Sequence, residues 1–217
     1  MAKKKKISSD DIISYYMDYV LEHGHQPKTV YAFAKHNNFE ESKFYEFFGS
    51  FKAVEEHIFK AFFDNSIKAL EKSEDYQKFD PRNKLLSFYF TFFENLTANR
   101  SYVIYALDEH KDSMKKMKTL SKLKQSFTHY IENLGIDLLD VKQSQIDKLQ
   151  TRGLKETAWL QLLLTMKFWM DDESANFEKT DIYIEKSVNT SFDVLDVAPV
   201  RSLIDFGKFV FKERVRT

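Results

Sequence analysis

The 217-residue sequence predicts an all-α protein, on three observations. It contains only five Gly and three Pro, too few for the many tight turns of an all-β chain. Nearly every segment repeats its apolar residues at the i, i+3, i+4 spacing of a helix that buries one face. The segments are also punctuated as helices are, with Ser, Asp or Pro at their starts and Gly at their ends.

Taken in order, Ser9 before Asp10 and Asp11 reads as an N-cap with acids in the first turn. Ile12, Ile13, Tyr16, Tyr19 and Val20 form the apolar stripe that follows, and Gly24 stops it. Pro27 opens a short second helix with Val30, Phe33 and Ala34. His36 to Asn38 make a turn, and a third short helix runs from Glu40 to Phe47, closed by Gly49. Ser50 caps a longer helix carrying Val54, Ile58, Phe62, Ile67 and Leu70. Asp80 and Pro81 start another, through Leu85, Phe88, Phe92 and Leu96 to about Ala98. A shorter helix follows from Ser101 to Leu107, and one from Met114 to Leu134 ends at Gly135. Residues 136–150 have apolar content but weak periodicity. Long helices are expected over Arg152–Met170 and Phe177–Val197, and a last one from Pro199 to Arg214.

Composition narrows the chemistry. Thirty-three basic and thirty-three acidic residues cancel, so the chain as a whole does not advertise nucleic-acid binding. The absence of Cys excludes a disulfide scaffold, Cys-ligated zinc, iron–sulfur clusters and thiol catalysis. No apolar run reaches the roughly 18 residues of a membrane span, and Lys3–Lys6 lead into no apolar stretch, so no signal peptide is read. The chain is expected to be cytoplasmic. Its six His include no helical i, i+4 pair, and His23 and His25 flank Gly24 without an evident third ligand. No metal and no cofactor are expected. Neither a phosphate-binding glycine loop, a nucleophile elbow nor His-Glu-x-x-His occurs, so no catalytic residue and no enzyme is expected. Asp171, Asp172 and Glu173 read as a cluster that caps the helix after them.

Three short helices followed by a long one frame a helix-turn-helix domain, and the residues go further. Thr29-Val30-Tyr31-Ala32-Phe33-Ala34-Lys35, then Tyr45-Glu46-Phe47-Phe48, then Ser50-Phe51-Lys52-Ala53-Val54 resemble the TetR family of transcriptional regulators. In that family a Thr-Val run precedes a recognition helix ending in Tyr-x-x-Phe, and a Ser-Lys-Glu run opens the fourth helix. The stretch from Phe168 to Thr180 resembles the hinge between the last two long helices of its ligand-binding domains. The resemblance implies residues 1–50 as the helix-turn-helix part and 51–217 as a ligand-binding and dimerisation part. Buried packing of Tyr45 and Phe48, three residues apart, is expected to lock the short recognition helix against its neighbours.

On this reading Lys28, Thr29, Ser42, Lys43, Tyr45 and Lys52 face DNA. The recognition helix would also expose Glu40, Glu41 and Glu46, and residues 1–50 carry seven Lys against seven carboxylates. Phosphate attraction therefore rests on Lys3–Lys6 and a few further lysines. Ring density on consecutive helices places Phe62, Phe63, Phe88, Phe92, Tyr102, Tyr105, Phe127 and Tyr130 around an apolar cavity for a small molecule or lipid. Leu154, Ala158, Leu162 and Trp169 on one long helix, with Ile184, Val188 and Leu195 on the next, are expected to meet a second copy as a homodimer. Trp169, Asp172, Ser174 and Thr180 also resemble a stretch of TetR-fold lipid-binding accessory proteins of ubiquinone biosynthesis. That likeness implies a lipid-handling alternative without DNA recognition. The basic and aromatic residues of the last helix, Val200 to Arg216, could then touch a membrane.

Overall fold

The computed structural model describes residues 7–108, 117–136 and 144–196. Among these, every regular element is helical: α1 Ser9–His23, α2 Val30–His36, α3 Glu41–Phe47, α4 Phe51–Glu71, α5 Glu74–Lys78, α6 Pro81–Ala98, α7 Arg100–Asp108, α8 Ser121–Glu132, α9 Ser144–Asp171 and α10 Glu178–Asp196. A single 3-10 turn, Ala175–Phe177, joins the last two. No helix among the described residues is long and apolar enough to cross a membrane. The Lys3–Lys6 arm and the helix expected from Pro199 to Arg214 lie outside the described residues.

The boundaries follow local chemistry. Ser8, not Ser9, caps α1: its hydroxyl accepts from the Asp11 N–H while the Asp11 carboxylate accepts from the Ser8 N–H, a reciprocal capping box. The difference of one residue arises because both serines precede acids, and only Ser8 stands three residues before Asp11. Gly24 ends α1 in the left-handed region, φ 69°, where a Cβ would be strained. The Thr29 hydroxyl caps α2 by accepting from the Ala32 N–H, Ser50 does the same for α4 at Ala53, and Asp80 does so for α6 at Asn83. The helix expected from Met114 is interrupted by a turn at Leu120, and α8 begins at Ser121. α9 begins at Ser144, eight residues before the expected Arg152, so the stretch of weak periodicity is partly helical.

The chain divides into two compact units. The first gathers residues 1–66 and 92–126, and the second gathers 67–91 and 127–217. The core of the first is aromatic. Phe33 meets Tyr19, Phe39, Phe44 and Phe51 edge-on at 5.4–6.3 Å between ring centres, the favoured geometry for ring quadrupoles, each pair contributing about 1 kcal/mol beyond its buried area. Tyr16 is buried, stacks on Phe51 and donates its hydroxyl to Glu55. Burial, reinforced by the Glu55 carboxylate, pushes the Tyr16 phenol far up, so it stays a neutral donor. α1 also packs on α7 in this unit. Deeper in, the Asn95 amide donates to Ser66 Oγ at 2.8 Å, and that hydroxyl donates to the Phe62 carbonyl.

The second unit is built on the α9–α10 hairpin, with α5, the first part of α6 and the second half of α8. Phe88, Phe127 and Tyr130 lie 5.1–6.5 Å apart. Tyr130 donates to the Lys84 carbonyl at 3.1 Å and accepts from Tyr76 at 3.0 Å. Arg82 pairs with Asp193 at 2.7 Å and lies over the Phe192 ring.

Candidate functional site

The candidate nucleic-acid face is α2 with α3. α3 is seven residues long and could not persist alone. Its anchor is Phe44, fully buried against Phe33, Phe48 and Phe51. Tyr45 is 54% exposed, so the expected buried Tyr45–Phe48 pair is corrected to Phe44–Phe48. In a Phe-Tyr-Glu-Phe-Phe run, adjacent rings point about 100° apart, and only one faces the core. The correction frees Tyr45 for an outward role. Ser42 and Lys43 are exposed beside it.

The electrostatics of α3 are self-contained. Lys43 pairs with Glu46 at 2.6 Å, and the hydrogen bond to that carboxylate raises the Lys43 ammonium. The Tyr45 hydroxyl reaches Glu41 at 3.5 Å. Lys28 and Lys52, also expected at DNA, are exposed and enter no ion pair among the described residues. Thr29 is exposed with its hydroxyl committed to the α2 cap. Sequence reasoning counted Lys35 among the lysines for phosphate attraction but missed its neighbour on α2: Tyr31 is exposed, and the Lys35 ammonium sits 5.9 Å from its ring centre. The signal was available, since Tyr31 falls off the stripe of Phe33 and Ala34. It also missed that His36 joins His23 and His25 around Tyr19, at ring distances of 4.1–6.2 Å. Among the described residues no three His, Asp or Glu side chains are placed to hold a metal ion.

The eight rings expected around one cavity are distributed over both units. Phe62, Phe63, Phe92, Tyr102 and Tyr105 belong to the first, and Phe88, Phe127 and Tyr130 to the second. All but Tyr105 and Tyr130 are buried. In the second unit Phe127 lies 6.5 Å from the Trp159 ring. The Trp159 indole N–H is buried with no acceptor, an unusual state for a group that costs free energy when unpaired.

The hairpin holds the structure's clearest departure from the expected site. Leu162, Trp169, Ile184 and Val188 are wholly buried within the chain, and Ala158 nearly so; Leu154 and Leu195 are partly exposed. The face left outward is a different one, with Leu160 55%, Leu164 51% and Ile182 51% exposed. These three, with Phe168 and Tyr183, line an open groove of about 670 Å3 between α9 and α10. Phe168 and Tyr183 stack at 4.5 Å. Leu160, Leu164 and Ile182 are not among the residues expected at the interface: the apolar spacing marks a face of each helix but does not say which face its own chain covers.

At the hinge the Asp172 carboxylate is buried and accepts four hydrogen bonds. Oδ1 takes the Ser174 N–H at 2.8 Å and hydroxyl at 2.6 Å, and Oδ2 takes the Thr180 N–H at 2.9 Å and hydroxyl at 2.7 Å. Thr180 is the third residue of α10, so Asp172 satisfies one of that helix's orphan N–H groups, as the acidic cluster suggested. Burial raises the Asp172 carboxyl, and the four donors outweigh it, holding it at about 2. The chain between is tightly wound: Asn176 and Phe177 take positive φ, 53° and 58°, and Phe177 packs 6.2 Å from the Trp169 ring. Trp169, Asp172, Ser174 and Thr180 thus act together as a structural clamp.

Residues 84–210 match a family profile described as the tetracyclin repressor-like C-terminal domain. No curated protein matches the chain. The matched region takes in α9, the hinge and α10, and it covers more than half of the sequence, so the chain belongs to the TetR family of transcriptional regulators.

Proposed function

We propose that the protein is a homodimeric, sequence-specific DNA-binding regulator of transcription, acting in the cytoplasm, whose C-terminal helical part takes up an apolar small molecule. The observation that carries this reading is α3: Phe44 holds the helix from below, and Ser42, Lys43 and Tyr45 stand outward on one short, packed element. A helix held this way can enter a major groove without losing its conformation. Residues 1–50 supply the groove-reading part, and residues 51–217 supply ligand uptake and dimerisation. Lys28 and Lys52 neutralise phosphates, helped by Lys3–Lys6. Glu41 and Glu46 disfavour phosphate but accept from a cytosine amine.

For the ligand, support comes from Trp159. Its buried N–H lacks an acceptor beside the rings of Phe127, Phe88 and Tyr130, and an apolar molecule with one carbonyl or hydroxyl would satisfy it. Trp159→Phe keeps the packing and removes the donor, and should weaken ligand binding about five- to tenfold with the folded-state spectrum unchanged; calorimetry with a co-purified ligand measures it. Equal affinity of the two proteins would take Trp159 out of the ligand reading.

Selection from random duplexes at low salt tests the DNA reading, and a single enriched motif is the expected result. Lys28→Ala and Lys52→Ala should then each reduce the slope of log affinity against log salt by about 0.9, one phosphate contact apiece. A selection that enriches no sequence, together with phospholipid carried through purification in native mass spectrometry, would overturn DNA recognition in favour of lipid handling.

A further inference from the structure

The carboxylates on and beside α3 are not equivalent. Glu46 is held by Lys43 at 2.6 Å. Glu40, the residue before the helix, acts on the same Lys43 ammonium. Glu41 is partly exposed and enters no ion pair among the described residues. The group it meets is the Tyr45 hydroxyl, one turn along the helix at 3.5 Å, the outer limit of a hydrogen bond. An ionised carboxylate accepts at about four lone-pair sites and donates at none, so Glu41 keeps most of its accepting capacity for a group outside the chain.

We propose that Glu41 reads a cytosine: its carboxylate accepts the N4–H that points into the major groove and makes a C·G pair obligatory at one position of the binding site. The inference rests on the DNA reading above and selects one carboxylate from those on α3. An acceptor-only group finds few partners in the major groove. Thymine O4 and guanine O6 and N7 are themselves acceptors and repel it. Adenine sets its N7 acceptor beside its N6 amine, whereas cytosine presents its N4 amine alone. Glu41 lies in the first turn of α3, and the first-turn side chains of a recognition helix are those that reach base edges. Lys43 leaves it free, because the Lys43 charge is satisfied by Glu46. Near any other sequence an unpaired carboxylate among phosphates is repelled, so the same group that favours cytosine disfavours the competitors.

Selection from random duplexes, run in parallel with the full wild-type chain and with Glu41→Gln, is the first measurement. Wild type should enrich a motif with an invariant C·G pair. A glutamine pairs bidentately with adenine N6 and N7, so Glu41→Gln should change that one position to A·T and leave the others as they were. The second measurement replaces the selected cytosine by an analogue that lacks the exocyclic amine. Wild type should lose at least about tenfold in affinity, and Glu41→Ala less than about twofold; the Ala protein controls for the weakened base pair. Glu41→Gln should also bind random duplex more tightly than wild type at low salt, since a charge that repels phosphate is gone. That gain runs opposite to its loss at the selected site, which a general loosening of α3 does not produce. A motif with no invariant C·G pair, a motif left unchanged by Glu41→Gln, or equal losses on the analogue for wild type and Glu41→Ala overturns the role of Glu41 and leaves DNA recognition standing. A wild-type selection that enriches no motif overturns both.

Discussion

Leu164→Asp is expected to leave a folded monomer of undiminished stability, whereas Leu162→Asp, two residues away on the same helix, should lose much of its folding stability. The side chain of Leu164 is half exposed on the outward face of α9, and that of Leu162 is wholly buried against the chain's own core. A carboxylate at 164 meets water in the monomer and costs little there. In a dimer closed over the groove it faces apolar surface and a copy of itself, and an unpaired charge in such a place costs about 3 kcal/mol or more. That is more than a hundredfold in dissociation constant. At 162 the same charge is buried without a partner, a loss of about 4 kcal/mol or more from a fold whose whole stability is about 5–15 kcal/mol. Sedimentation velocity separates dimer from monomer, and circular dichroism with urea titration reports folding. A dimeric Leu164→Asp protein would remove the α9–α10 groove from the interface, and a Leu162→Asp protein with the urea midpoint of the wild type would contradict the burial order on α9.

The contrast between 162 and 164 also marks how far the sequence could be read. Helix starts and stops were legible where a single residue type decides them: Gly24 at the end of α1, Ser50 before α4, Asp80 and Pro81 before α6. They shifted where two neighbours could serve, as with Ser8 and Ser9, and where the helix carries no stripe, as over Ser144–Gln150. α5 is five residues long and too short to show a period. Phe44 and Tyr45 are adjacent rings in an aromatic run, and only the packing around Phe33 and Phe51 chooses between them. On α9 and α10 the spacing of Leu154, Ala158, Leu162 and Trp169, and of Ile184, Val188 and Leu195, marks an apolar face, but whether the chain's own neighbours bury that face is a property of the tertiary structure. Ring counting likewise located the aromatic core without showing how its members divide between two units. The hinge was more legible: three consecutive acids before a helix indicate capping, and the structure adds which of them does it and from which groups.

Removal of that hinge carboxylate is the second large effect. Asp172→Ala strips four hydrogen bonds at 2.6–2.9 Å, and it leaves the Thr180 N–H at the start of α10 without an acceptor. Charge-assisted bonds in a buried site contribute about 1.5–3 kcal/mol each before compensation by water, and the Ser174 donors can turn to solvent. A net loss of about 3 kcal/mol is expected, read as a lower urea midpoint with an unchanged slope. Asp172→Asn should lose about 2 kcal/mol, since its single carbonyl oxygen can serve Ser174 or Thr180 but not both. The pH dependence has a defined sign. The folded carboxyl is held at about 2, below the usual carboxylate range. Its stabilisation is therefore complete above pH ~4, the ordinary value for Asp, and is lost as pH falls through about 2. Asp181 acts in the opposite sense. Asp181 is exposed, yet partial desolvation, with the Asp172 and Glu178 carboxylates near it, raises its carboxyl, so its small contribution is favourable below the ordinary value and is lost as pH rises through the raised one. Asp181→Asn should consequently stabilise the protein slightly at pH 7, since solvent screens an exposed carboxylate, and the gain should vanish below about pH 4. Urea midpoints for the two variants between pH 3 and pH 7 test both signs together. An Asp172→Ala midpoint equal to wild type at pH 7 would show that the turn through Asn176 and Phe177, fastened by the Phe177–Trp169 contact, holds α9 against α10 without the carboxylate.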